Sequence, residues 1–417
     1  MSEPRITPSG KPMRIAVLSD HLRGLIGQGG GVDRCQWRLA NEYARRGYLV
    51  DMVVFDKDGI EPSMIPANIN LQFIPRSSAS RTKFFIFTRL KGLRPLVARP
   101  ILLPLKPSAR VLHLPALADY LETHAPDLLI SAGTYENVTS LLAKKAVNSK
   151  TRVLVSERNP LSEKLTKPKH AKKARWRHLP PLMAKLYPTA DAVIAISETL
   201  KVDIANNIPS SDLPLCVIYN PVIDRNEDSL NAARVPDHPW LQSKEYPVIV
   251  SVGRLRQQKD YFSLLKAVAT SSRTTPMRLI VVGDGPQKEK LEQRAADLGI
   301  ADIVDFVGYK ENARSYIAHS DVFALTSIYE GLPAVLIEAL YFGVNIVATD
   351  CPGSSREILE DGRHGFLVPV KDPDAIAGGI LSALSKRPNR DSLSARAASF
   401  SVERAAERYL RAAQFLK

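Results

Sequence analysis

Cysteine is scarce in this chain. Its 417 residues include three, Cys35, Cys216 and Cys351, far apart and without a CxxC pair. That excludes a disulfide framework, offers no zinc-ligand spacing and fits a reducing cytosol. Long apolar runs are missing as well, and no stretch approaches the roughly 18 to 20 residues needed to span a bilayer. The opening MSEPRITPSGKP is polar and proline-rich, with no apolar core behind a basic start, so no secretory signal is expected. These absences predict a soluble or peripheral protein, cytoplasmic in location. Acidic residues are absent from two long stretches. Between Glu61 and Asp119 stand Arg76, Arg81, Lys83, Arg89, Lys91, Arg94, Arg99, Lys106 and Arg110. Between Glu163 and Asp191 stand Lys164, Lys167, Lys169, Lys172, Lys173, Arg175, Arg177 and Lys185. Both lie in the first half of a chain with net charge +14. No DxD-type cluster stands out, so no metal or other cofactor is implied.

The chain is long enough for two cores. Hydrophobic residues make up 45%, the usual range for folded proteins. MRIAVLSD is a strand-like run, followed by the glycine-rich GLIGQGGGVDR, the helical pattern CQWRLANEYARRG and a second strand, YLVDMVVFD. This β–loop–α–β order predicts a parallel, doubly wound sheet. DLLISAG, RVLVSER, DAVIAIS and CVIYNPV continue it. The polar segment 224–246 reads as a linker, after which PVIVSVGRL, RLIVVGDGP, IVDFVG, DVFALTS, NIVATD and GFLVPV build a second α/β unit. The expected division is residues 1–232, 233–395 and a closing amphipathic helix over 396–417. Two such Rossmann-like domains would place a ligand in the cleft between them, at the carboxyl ends of the strands.

Arg254 and Lys259 in SVGRLRQQKDY follow a strand and Gly253. A guanidinium and an ammonium there suit a diphosphate, by forked hydrogen bonds and a point charge. They are equally readable as solvated surface charges. In YEGLPAVLIEAL, a helix beginning at Gly331-Leu332-Pro333 would carry Glu330 at its edge and Glu338 about two turns in. Eight residues bring the two carboxylates within about 80° of each other, roughly 12 Å apart along the axis. The first-turn amides from Leu332 to Val335 would form an anion site between them. The plainer reading makes Glu330 a helix-dipole partner and Glu338 a surface residue. The apolar neighbours of Glu338 argue that it needs a polar partner. Gly283 opens a GxG turn that lets backbone approach a ring, and Gly29, Gly30 and Gly31 precede a helix where amides can approach a phosphate.

At these residues the chain resembles the GT-B family of retaining glycosyltransferases, family 4 type. VGRLRQQKDY, LIVVGDGPQKEKLEQRAADLGIADIVDFVGY, DVFALTSIYEGLPAVLIEALYFGVNIVATDCPGSSREIL and VIYNPV match in order, densely over about 217–370. The resemblance implies that Arg254 and Lys259 hold the donor diphosphate and that Glu338 binds the ribose hydroxyls. It further implies that Glu330 contacts the donor sugar, that Gly30 packs on the phosphates and that the last helix returns to the first domain. YFGVNIV replaces the family's small-Cys-Gly-x-Pro run, Ser354 and Ser355 stand where glycines are common, and LLISAGTYEN lacks a histidine that serves in some members. SERNP is similar to a segment of bacterial members that extend polyprenyl-diphosphate-linked sugars.

The expected reaction is retaining transfer of a hexosyl or N-acetylhexosaminyl group from a UDP- or GDP-sugar to an acceptor hydroxyl. The acid-free stretches also contain apolar and aromatic residues, which suits docking on an anionic membrane at about 1 kcal/mol per cation. A lipid-linked acceptor on the inner membrane face is the expected partner. A plain solvated basic face remains an alternative; nucleic acid is not expected, since no binding motif accompanies the charge. A soluble-acceptor transferase, a non-catalytic sugar-nucleotide sensor and a sugar-nucleotide epimerase are the competing functions.

Overall fold

Short apolar runs punctuated by polar residues and glycine become strands in the computed structural model of the chain, which describes residues 12–21, 31–56, 65–90, 92, 109–166, 174–225, 229 and 234–415. The first sheet holds β1 (Arg14–Ser19), β2 (Leu49–Val54), β3 (Ile69–Phe73), β4 (Leu128–Ala132), β5 (Arg152–Glu157), β6 (Ala192–Ala195) and β7 (Leu215–Val217). Their order is β3-β2-β1-β4-β5-β6-β7, and the pairings are parallel. The second sheet holds β8 (Val248–Val252), β9 (Arg278–Val282), β10 (Val304–Gly308), β11 (Val322–Leu325), β12 (Asn345–Thr349) and β13 (Phe366–Val368). Its order is β10-β9-β8-β11-β12-β13, again parallel. Parallel strands are covered by helices on both faces, so they read as unbroken apolar runs rather than alternating ones. Ile15, Val17, Leu128, Leu129 and Ile130 accordingly have no exposed surface. Two Rossmann-like, doubly wound sheets are what the sequence predicts. Strand β3 is the one described strand of the first sheet that the sequence reading passes over. INLQF lies at the sheet edge with little buried beyond Ile69, so it lacks the apolar run of its neighbours.

Chain contacts divide the protein into two units. One runs up to Pro221 and resumes at Val402; the other is Val222–Ser401. These bounds differ from the expected 232 and 395. The reason is local: the amides of Val222 and Ile223 both donate to the Phe400 carbonyl, at 2.9 and 3.1 Å, and Ile223 bridges to Ser401. The second unit therefore closes its own ends.

The last helix, Val402–Ala412, buries Val402, Ala405, Ala406, Tyr409 and Leu410. Of these, Ala405, Ala406, Tyr409 and Leu410 join Leu39 and Tyr43 of the helix Gly31–Arg45 in the core of the first unit. The Tyr43 hydroxyl donates to the Ala406 carbonyl at 3.1 Å, and the Arg46 guanidinium to that of Glu403 at 2.9 Å. No described helix is long and apolar enough to cross a membrane.

Candidate functional site

An open parallel sheet binds ligands beyond the carboxyl ends of its strands, where the strand order reverses. In the second sheet that point lies between β8 and β11, because the chain runs outward through β9 and β10 and then returns to the other side of β8. The loop after β8 carries Gly253, Arg254 and Lys259. The loop after β11 carries Ser327, Glu330 and Gly331. Topology thus brings two sequence-distant motifs to one place.

Lys259 closes a short 3-10 turn, Gln257–Lys259. Its ammonium lies 2.5 Å from Glu330 Oε1, and the side chains are 17% and 9% exposed. The Ser327 hydroxyl donates to the same oxygen at 2.6 Å. The loops are joined further by Thr326 Oγ1 donating to the Lys259 carbonyl at 2.9 Å and Gln258 Nε2 to that of Tyr329 at 2.8 Å. Arg254 is exposed. Behind it the buried Tyr261 donates its hydroxyl to the Gly253 carbonyl at 3.2 Å. Burial raises the Tyr261 pKa, and the charge of Glu330 adds to the shift, so the phenol stays a neutral donor.

Two glycines allow this packing. Gly283 has φ +140°, and a Cβ there would lie 2.0 Å from the Gly253 carbonyl oxygen. The loop after β9 therefore rests on the loop after β8, backbone to backbone. Gly353, at φ +132°, lets the loop after β12 reach Glu330, where a Cβ would again be 2.0 Å from a carbonyl oxygen. The Glu330 amide donates to Pro352 at 3.0 Å and the Ser354 amide to Gly331 at 3.2 Å. CPGSSREIL is thus a clamp on the Glu330 backbone.

The helix after this loop is Ala334–Phe342, with Pro333 as a cap that offers no side-chain hydrogen bond. It starts three residues later than the sequence predicts. Glu330, Gly331 and Leu332 are loop residues, so the angular relation drawn between Glu330 and Glu338 on one helix does not hold. The Leu336 amide is taken by Pro333 at 3.1 Å. The amides of Ala334 and Val335 are the first-turn donors that an incoming anion would meet. Glu338 is 6% exposed, not a surface residue. Its partner is Arg314, whose Nε donates to Oε1 at 2.9 Å and which is itself 8% exposed. The two acids therefore hold separate cations: Glu330 with Lys259, Glu338 with Arg314. The sequence reading missed Arg314; the signal was that an acid among apolar neighbours requires a buried donor. Gly30 lies outside the described residues.

A second cluster, also missed, sits at the reversal of the first sheet, between β1 and β4. Arg110 pairs with Asp20, and its Nε donates to Glu136 Oε1 at 3.3 Å. His21 Nε2 lies 3.1 Å from Asp20. Burial pushes the Glu136 carboxyl above its ordinary range, with Arg110 opposing. Deeper in, the fully buried Glu157 accepts from the Tyr187 hydroxyl at 2.5 Å and from Thr134 at 2.8 Å. Among the described residues no group of three or more His, Cys, Asp or Glu side chains is placed to hold a metal ion.

Comparison with known proteins matches two family descriptions: Glycosyltransferase Family 4 over residues 29–225 and Glycosyl transferases group 1 over 237–400. One relative, a Campylobacter jejuni protein that bears the name of an α-1,4-N-acetyl-D-galactosaminyltransferase acting on an undecaprenol-diphosphate-linked GalNAc-GalNAc-diNAcBac glycan, is 28% identical over 67% of this chain and 70% of its own. A second from the same organism, named a 4-α-N-acetylgalactosaminyltransferase for the corresponding shorter acceptor, is 29% identical over 49% of this chain and 53% of its own. Among solved structures, the lipopolysaccharide outer core galactosyltransferase WaaB superposes with a TM-score of 0.68 at 20% identity, covering 96% of this chain and 99% of that one. Anabaena HepE bound to UDP gives 0.68 at 18% identity, covering 97% and 100%. With both sheets, the switch-point motifs and both family matches in agreement, this chain belongs to the family 4 type of GT-B glycosyltransferases.

Proposed function

We propose that this glycosyltransferase moves a sugar, with retention, from a nucleoside diphosphate sugar to a hydroxyl of a lipid-linked glycan at an anionic membrane surface. The observation that carries the reading is the Lys259–Glu330 pair at the reversal of the second sheet, beside the exposed Arg254. As the anomeric C–O bond breaks, its electron pair passes to the departing diphosphate. Arg254, Lys259 and the amides of Ala334 and Val335 would stabilise that growing charge. Glu330, held by Ser327 and Lys259, would accept hydrogen bonds from donor-sugar hydroxyls, and Glu338, held by Arg314, from ribose hydroxyls. The anomeric carbon becomes oxocarbenium-like. The acceptor oxygen bonds to the same face, and its proton passes to a phosphate oxygen of the leaving group, so no protein nucleophile is required.

The lipid-linked acceptor is supported by the names of both Campylobacter relatives and by the acid-free basic stretches of the first unit. The test is product mass after incubation with UDP- or GDP-sugars and a prenyl-diphosphate sugar. A product heavier by one sugar residue, with the new linkage axial or equatorial as in the donor, is the expected result. Nucleotide-sugar binding without turnover on any acceptor would leave a sensor instead, and transfer confined to water-soluble acceptors would remove the lipid.

A further inference from the structure

At the amino ends of β11 and β12, opposite the loops that carry Ser327 and Glu330, the second unit has a hollow of about 210 Å³. Asp321, just before β11, and Asn345, the first residue of β12, line one side, with Phe342 at the end of the helix Ala334–Phe342. The other side is the segment between the helices Pro373–Ser385 and Arg390–Ala397, which supplies Lys386, Arg387 and Arg390. That segment is held in place. Asn345 Nδ2 donates to the carbonyls of Ala383 and Lys386 at 2.7 and 2.8 Å, and Asn389 Oδ1 accepts from the Ser392 amide at 3.1 Å. Gly343 has φ +68°, and a Cβ there would lie 2.8 Å from Arg390 Cγ, so the Arg390 stem rests on that glycine.

The charge around the hollow is one-sided. The sequence has no acid between Asp374 and Asp391. Arg387 and Arg390 are exposed, and neither pairs with an acid among the described residues. Lys386 sets its ammonium 5.1 Å from the centroid of the Phe366 ring. Asp321, the acid that lines the hollow, already holds the Lys244 ammonium at 3.1 Å and the Val248 amide at 2.8 Å. Asp391 is exposed in the first turn of the helix Arg390–Ala397 and does not line it. The carboxyl end of the helix Ala334–Phe342 offers about half a negative charge, too little to answer three cations. Single exposed arginines are ordinary, but two unanswered guanidiniums and an ammonium around one hollow make a place for an anion. Phosphate oxygens match the guanidinium fork in shape and charge. Volume sets the size of the occupant. The hollow is smaller than the roughly 300–1,000 Å³ of pockets for larger ligands, so a nucleoside diphosphate sugar is too big, whereas a phosphate group with few further atoms fits.

We propose that this hollow is a phosphate-binding site, separate from the donor site, that takes inorganic phosphate or a small phosphomonoester with Arg387 and Arg390 as its anchors. The occupant would bear on the Phe342 end of the helix whose other end presents the Ala334 and Val335 amides. The site stands independently of the donor and acceptor readings.

The test is titration calorimetry with inorganic phosphate at fixed ionic strength, on the full chain carrying Arg254→Ser and Lys259→Ser so that those two cations cannot contribute. That chain is expected to bind phosphate at one site. Adding Arg387→Ser or Arg390→Ser should weaken binding at least about tenfold each, the loss expected for one charge-assisted hydrogen bond. Arg387→Lys should keep part of the affinity, as a point charge without the fork. The Arg387 side chain has no acid partner among the described residues, so Arg387→Ser should leave the phosphate-free melting temperature unchanged, which separates lost binding from lost folding. Lys145→Ser with Lys150→Ser, two exposed cations of the first unit, should leave the affinity as it was. A hexose 6-phosphate tells the two sources apart. Competition with phosphate at the same arginine dependence assigns a phosphomonoester; failure to compete assigns the free ion. Absence of phosphate binding in the Arg254→Ser, Lys259→Ser chain overturns the proposal. So does binding that survives loss of Arg387 and Arg390, or that falls equally with Lys145 and Lys150.

Discussion

At the scale of single residues, the two acids singled out in YEGLPAVLIEAL turn out to be different in kind. Glu330 shares a hydrogen-bonded corner with Lys259 and Ser327 at a loop tip, where a ligand can compete for the ammonium. On the proposed role of Lys259 at the departing diphosphate, replacing it with alanine should lower kcat/KM about 10²- to 10³-fold. Steady-state kinetics with the identified donor checks this. Glu338 and Arg314 are buried together, and deleting one partner strands the other charge. Arg314→Leu should cost about 3–5 kcal/mol in urea unfolding, because Glu338 is then uncompensated in the interior. Glu136 makes a pH-dependent prediction. Burial raises its pKa above the ordinary 4.5, so the folded chain holds that proton more tightly than the unfolded one does. The stability this contributes is complete below 4.5 and is lost as pH rises through the folded-state value. Glu136→Gln has no such proton to lose. Its melting temperature should therefore gain on the parent as pH rises and show no gain in acid; a gain equal at every pH would contradict the assignment.

At the scale of elements, strands were easier to read than loop geometry. A parallel strand must be apolar along its whole length, and VIVSV, LIVV and VFAL announce themselves. The start of the helix Ala334–Phe342 did not, because GLP offers no side-chain cap and proline can close a loop as readily as open a helix. Gly283 also had to be seen in place. GxG suggests room for a ligand, whereas its φ and its contact show a seat for the neighbouring loop. Gly283→Ala should therefore act through structure. It forces the loops after β8 and β9 apart, costs more than the about 1 kcal/mol typical of surface glycine changes, and should raise KM for the donor through displacement of Arg254 and Lys259. Thermal melts and donor kinetics on the same variant would show both effects, and a variant as stable as the parent would disprove the packing role.

At the scale of the whole molecule, the chain leaves its first unit at Pro221 and returns to it at Val402. Tyr409 and Leu410 have no exposed surface and share a core with Tyr43 and Leu39. A chain ending at Ser401 should consequently lose the cooperative unfolding of the first unit while the second, whose ends are tied at Val222, Ile223 and Phe400, keeps its own. Calorimetry on the truncated and full chains would separate the two transitions; an intact first transition would refute this. Local pattern alone determined that there are two parallel sheets, where most strands run, and which cations and acids deserve notice, since burial on both faces and turn chemistry are properties of neighbouring residues. Only the tertiary structure decided which charge answers which. The partner of Lys259 is 71 positions away, that of Glu338 is Arg314 on another helix, and Asp20, Arg110 and Glu136 meet from three segments. Pairing across such separations is set by strand order, and strand order is written in no single stretch of the chain.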